Sequence, residues 1–249
     1  PFGFLYGGNG TDAPGNLGLH DQILALKWIY QNIARFSGDH SQVTIFGHGS
    51  GAASVGALIL SPLAHRHFRR AIIQSGSVLS AYGAHSVTEA AERTARLAER
   101  LECQSNNQSE VITCLRSKSI DEILTATRDG LLKNNLFLPV YGDTLLPLRP
   151  AEALAAGRFN HGVDLLFGVN LDEGSSFAPM FAPPPEQINN RFESSVREVI
   201  RYMGHFYGWP EDKEEEVLHH YVTSENNEAN TELRTNGSIT TTEGKDDFM

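Results

Sequence analysis

Gly47-His48-Gly49-Ser50-Gly51 is the stretch on which the fold turns. It follows QVTIF, a run of β-branched and aromatic residues at 42–46 that reads as a strand, and it runs into AASVGALIL, whose small residues suit a helix over 50–60. A strand that ends in a tight glycine turn and opens directly into a helix is the setting of G-x-S-x-G, where the central serine is lifted clear of the sheet as a nucleophile. Both outer glycines are in place. The central position holds Gly49, and a serine, Ser50, comes one step later.

Outward from this turn, strand-like and helix-like segments alternate, the signature of an α/β fold with a mostly parallel, twisted sheet flanked by helices. Residues 2–5, FGFL, read as a strand, and APGN at 13–16 as a turn. Residues 19–34 form a helix with an apolar stripe of Leu19, Ile23, Leu26, Tyr30 and Ile33; Leu24 and Trp28 fall off that stripe and are expected to meet a neighbouring element. Residues 71–74 read as a short buried strand and 165–169 as another, ending in the polar turn NLDEG. Helices are expected over 87–101, 120–128 and 150–156, the last with its proline in the first turn. Past the prolines at 183–185, residues 187–202 and 211–221 read as surface helices, and the polar end as a loop. No repeat or separating linker interrupts this order. Residues 1–249 are therefore expected to be part of a single domain that begins in mid-fold.

The chain has 249 residues, 40% hydrophobic and 20% charged, enough for a sizeable core. No apolar run approaches the roughly 20 residues that cross a bilayer, and the first residues lack the pattern of a signal peptide, while membrane attachment by other means stays open. A net charge of -10 repels phosphate backbones, which excludes nucleic acid as a partner; the same field either draws a cationic ligand or only keeps the surface soluble. Nothing in the spacing of histidines and cysteines calls for a metal or cofactor. Cys103 and Cys114 enclose the polar segment QSNNQSEVIT and read either as a small surface disulfide loop or as two free thiols. Asn9, Asn107 and Asn236 each open an N-x-S/T sequon. A sequon inside the cysteine loop points to an extracellular or cell-surface setting, reached through the secretory pathway.

Taken together, FGFL, APGNLGLHDQILALKWIYQNIARFSGD, VTIFG, GAASVG, FRRAIIQSGS, CLRSK and GVNLDEGSSF resemble the type-B carboxylesterases, above all their cholinesterase branch, in register over most of residues 1–177. The resemblance implies an α/β-hydrolase whose triad runs Ser, Glu, His along the chain. It places the nucleophile on Gly49, the triad acid on Glu173 and an oxyanion-hole backbone N–H on Ser50, with the triad histidine and the oxyanion glycines outside these residues. It also implies a Cys103–Cys114 bridge. His48 stands where these esterases carry an acidic residue, Tyr82 falls on the acyl-pocket wall, Ser176 replaces an aromatic that faces a cationic head group, and Phe177 stays aromatic. Each has a plainer reading: a turn histidine, a capping carboxylate, core aromatics.

A shift of the nucleophile to Ser50 finds no support in the sequence, because the flanking glycines would then have to be His48 and Ala52. Glycine at the apex also relieves a backbone strain of about 1–3 kcal/mol. The expectation is a cholinesterase-like protein without hydrolysis that binds a cell-surface protein, or a small ester or cationic ligand, as adhesion-type relatives do. The alternative is a working carboxylic ester hydrolase of the cholinesterase type.

Overall fold

A computed structural model of the chain describes residues 1–8, 10–80, 83–128, 137–171, 173, 197, 200–201, 204 and 208–219. The chain divides into two compact units, Pro1–Asn170 and Leu171–Met249. The first is built on β1 (Thr44–His48), β2 (Arg70–Gln74) and β5 (Asp164–Gly168), with a small pair, β3 (His85–Ser86) and β4 (Val140–Tyr141), to one side. The larger sheet has the order β1-β2-β5 and is parallel throughout, aligning Ile45 with Ala71 and Leu165, and His48 with Gln74 and Gly168. Parallel neighbours require crossover connections, and helices supply them. The helices of this unit are α1 (Leu17–Asn32), α2 (Ser50–Leu60), α3 (Val87–Arg100), α4 (Gln108–Ser117), α5 (Ile120–Thr127) and α6 (Pro150–Ala155).

The core gathers Leu19, Ile23 and Leu26 of α1, Val55, Leu58 and Leu60 of α2, and Leu145 and Leu146 from the segment before α6. Each such leucine, fully buried, contributes about 1.5–3 kcal/mol. A second cluster joins Leu97 of α3 to Val111, Ile112 and Leu115 of α4 beside Cys103. Asn16 ties α1 to β4. Completely buried, it donates through Nδ2 to the Val140 carbonyl at 2.7 Å and accepts from the Val140 N–H through Oδ1 at 2.7 Å, so a buried amide is satisfied on both sides.

Several expectations need correction. Residues 2–5 are a turn, closed by Phe4 N–H on the Pro1 carbonyl at 2.9 Å, and Tyr6 alone makes an isolated bridge to Pro14. The burial of α1 stops at Leu26: Tyr30, Leu24 and Trp28 are all exposed, Trp28 resting on Phe36 at 6.0 Å and Tyr30 edge-on to His40 at 4.6 Å. Of β2 only Ala71 is fully buried, and every residue of β5 is exposed, because α2 lies over β1 and β2. The disulfide loop is partly helical: residues 104–107 lie outside any helix and α4 opens at Gln108, started by Asn107, whose side chain accepts from Ser109 N–H at 3.0 Å.

In the second unit α7 (Glu211–Leu218) occupies most of the expected 211–221, and Glu215 pairs with Arg197 at 2.9 Å. The expected helix over 187–202 lies largely outside the described residues. No helix among the described residues is long and apolar enough to cross a membrane.

Candidate active site

The site is the junction of β1 and α2. β1 carries the chain to His48, Gly49 makes the turn with φ 58 and ψ -117, and α2 starts at Ser50. A positive φ with that ψ is open to glycine and costly for any residue with a Cβ, and it is the strained backbone that G-x-S-x-G exists to hold. The turn thus has the backbone of such an elbow, with glycine at its apex. A Cβ built on Gly49 meets nothing within 4 Å. The apex projects into open space.

Two further glycines hold the turn. A Cβ on Gly47 would run into the backbone of Gly51 and come within 2.7 Å of Ala52 N, so this position takes glycine, whereas a Cβ on Gly51 would meet nothing within 4 Å. A Cβ on Gly76 would collide with the Gly49 carbonyl and approach Ala52 Cβ at 3.0 Å. Sequence reading missed Gly76. Its signal was the QSG that follows β2, but the contact is made across the sheet and has no local pattern. The Gly49 N–H donates to the Gln74 carbonyl at 3.0 Å and the Gly49 carbonyl accepts from Ala53 N–H at 3.1 Å, so the turn is locked to β2 on one side and α2 on the other.

The start of α2 has no side-chain cap, since Gly49 is its N-cap and offers no acceptor. The first-turn N–H groups, that of Ser50 among them, are the orphan donors of a helix N-terminus, with the positive end of the helix dipole behind them. Ser50 itself is exposed, and its carbonyl accepts from Ser54 Oγ at 3.1 Å. α2 persists without a cap because it is buried nearly all round, at Ala52, Ala53, Val55, Gly56, Ala57, Leu58 and Leu60. His48 is exposed at the end of β1, opposite Gln74.

Glu173 is an exposed residue of the second unit. Tyr82, Ser176, Phe177, Asn9 and Asn236 lie outside the described residues. Cys103 and Cys114 are joined, with 5.6 Å between their Cα atoms, across the turn that links α3 to α4. Asn107 is exposed inside that loop. Among the described residues no group of three or more His, Cys, Asp or Glu is placed to hold a metal ion.

The site offers a glycine turn and the free backbone donors of a helix N-terminus, with no side-chain oxygen at the apex itself. A family model described as the carboxylesterase family matches residues 1–243. Among curated proteins, an acetylcholinesterase from Danio rerio is 40% identical over 206 residues, covering 79% of this chain and 32% of the relative. A cholinesterase from Mus musculus is 39% identical over 229 residues, 88% of this chain and 37% of the relative, and an acetylcholinesterase from Electrophorus electricus 40% over 199 residues, 76% and 31%. The chain spans about a third of the length of these relatives.

Proposed function

Because the chain belongs to the carboxylesterase family, with the α/β-hydrolase fold that goes with it, we propose that it is a cholinesterase-like protein that has given up ester hydrolysis and acts by binding a partner or ligand. Gly49 carries this reading. It stands at the apex of an elbow whose backbone is otherwise intact, and without a hydroxyl there the acyl-enzyme of a serine esterase has no atom on which to form. Removing such a nucleophile costs about a million-fold in turnover. The binding role fits a cell-surface or extracellular protein: the Cys103–Cys114 bridge persists in oxidising compartments, and Asn107 presents a sequon on the surface of the same loop.

The test is covalent. The full-length protein, treated with a fluorophosphonate probe, remains unlabelled on this reading, whereas Gly49→Ser gains labelling at residue 49, where the open space already admits the new side chain. Labelling of the unaltered protein at Ser50 would return it to the ester hydrolases and overturn the proposal.

A further inference from the structure

At the far end of α2 from Gly49, about 16 Å along an 11-residue helix, lies a cavity of about 470 Å³. Its size falls in the roughly 300–1,000 Å³ range of sites that enclose small molecules. Leu60 closes it from α2, Leu146 and Leu148 from the segment before α6, and Phe159 from the segment after it; the polar residues are His65 and Arg158. Leu60 and Leu146 are buried, so the floor is apolar, while Arg158 is exposed at the rim. All of these residues belong to the first unit.

The wall is held by hydrogen bonds, so the cavity exists before anything enters it. Asn160 N–H donates to the Ile59 carbonyl at 3.0 Å and Asn160 Nδ2 to the His65 carbonyl at 3.0 Å, pinning the segment after α6 to the end of α2. Arg158 N–H donates to the Ala153 carbonyl at 2.7 Å, which fixes the backbone from which the guanidinium projects. No ion pair among the described residues occupies that guanidinium. A preformed apolar chamber with one cation at its mouth, on a chain with a net charge of -10, selects against a free polar anion and for a ligand with an apolar body and one acidic head.

We propose that this cavity binds an amphipathic carboxylate, its hydrocarbon part lying against Leu60, Leu146, Leu148 and Phe159 and its carboxylate on the Arg158 guanidinium. The planar fork of arginine matches a carboxylate in two parallel hydrogen bonds, and the apolar walls accept the part that water rejects. This site is independent of the elbow and takes a ligand whether or not Gly49 precludes hydrolysis.

Decanoate and the uncharged decan-1-ol are the probes, titrated by calorimetry into the full-length protein, with contacts from the probe's terminal methyl located by nuclear Overhauser effects. Decanoate binding with methyl contacts to Phe159, weakened about tenfold in Arg158→Ala while decan-1-ol is little changed, is the expected result. Leu148→Trp, which narrows the mouth at a half-exposed position, weakens both probes. The proposal fails if decanoate does not bind, if its methyl contacts lie elsewhere, or if Arg158→Ala leaves decanoate affinity unaltered.

Discussion

The two ends of α2 are built on opposite principles. At Ser50 the helix begins at a turn made by backbone alone: Gly47 and Gly76 leave no room for a methyl group, and Gly49 sits in a conformation that side chains avoid. At Leu60 it ends among side chains, where Leu146, Leu148 and Phe159 leave a chamber that another molecule could fill. One end is crowded and specified atom by atom; the other has slack. The same helix thus joins a site whose geometry tolerates almost no change to one that tolerates much. The crowded end takes this shape because the packing of α2 on β1 and β2 needs the turn whether or not chemistry happens there.

The largest effect is therefore expected at Gly76. Gly76→Ala drives a Cβ into the Gly49 carbonyl, a backbone atom that cannot rotate away, and should cost at least about 3 kcal/mol in denaturant unfolding of the full-length protein. Gly49→Ala, with nothing within 4 Å of its Cβ, should cost only its backbone strain, about 1–3 kcal/mol. If the two cost the same, the crowding at this end is relieved by backbone shifts and the contrast between the ends collapses.

This contrast also explains how much could be read beforehand. β1, the turn and α2 were legible because each announces itself locally: β-branched residues, then glycines, then a small-residue helix found over Ser50–Leu60 as expected. The starts of α3, α5 and α6 fell where helical composition placed them, with Pro150 in the first turn of α6, and the structure adds capping boxes at Ser86 and Ser119. α4 was missed although its signal was present, Asn107 followed three residues later by Glu110, because polar residues outweighed the cap. The exposure of Tyr30 and of all of β5 was not legible at all, since periodicity tells which face is apolar and not which layer covers it. In the candidate site the glycine turn at Gly49 was plain from the sequence, and the bridge between Cys103 and Cys114 followed from the resemblance. Gly76 and the Arg158 cavity were not legible, because both join residues brought together only by the sheet and its crossovers.

At the slack end the expected penalty is smaller. Leu60→Ala removes a buried side chain that already borders a void, so the surroundings lose fewer contacts than in a sealed core and the cost should be about 2 kcal/mol, the low end for such truncations. Chemical denaturation alongside Gly76→Ala ranks the two ends directly. A loss for Leu60→Ala above that of Gly76→Ala would mean that the chamber, and not the elbow, is what fixes α2 in place.

The smallest effect is a pH dependence confined to the slack end. Loss of water holds the His65 imidazole below the ordinary histidine range, with the nearby charge of His161 acting the same way and a backbone hydrogen bond with Ile59 opposing both. His67 is also lowered, first by loss of water and then by Lys27. Both rings are therefore favoured neutral in the folded chain, while the unfolded chain takes up protons near its ordinary value of about 6.5. Between that value and the lowered ones the unfolded state binds more protons, so their contribution is complete above about pH 6.5 and is lost as the pH falls below it. Both side chains keep much of their contact with solvent, which keeps the slope shallow. His65→Gln with His67→Gln should flatten the fall in unfolding midpoint between about pH 7 and about pH 5 relative to the unaltered protein. An unchanged slope in the double variant would show that protonation reaches the end of α2 without strain, and that the slack there extends to charge as well as to volume.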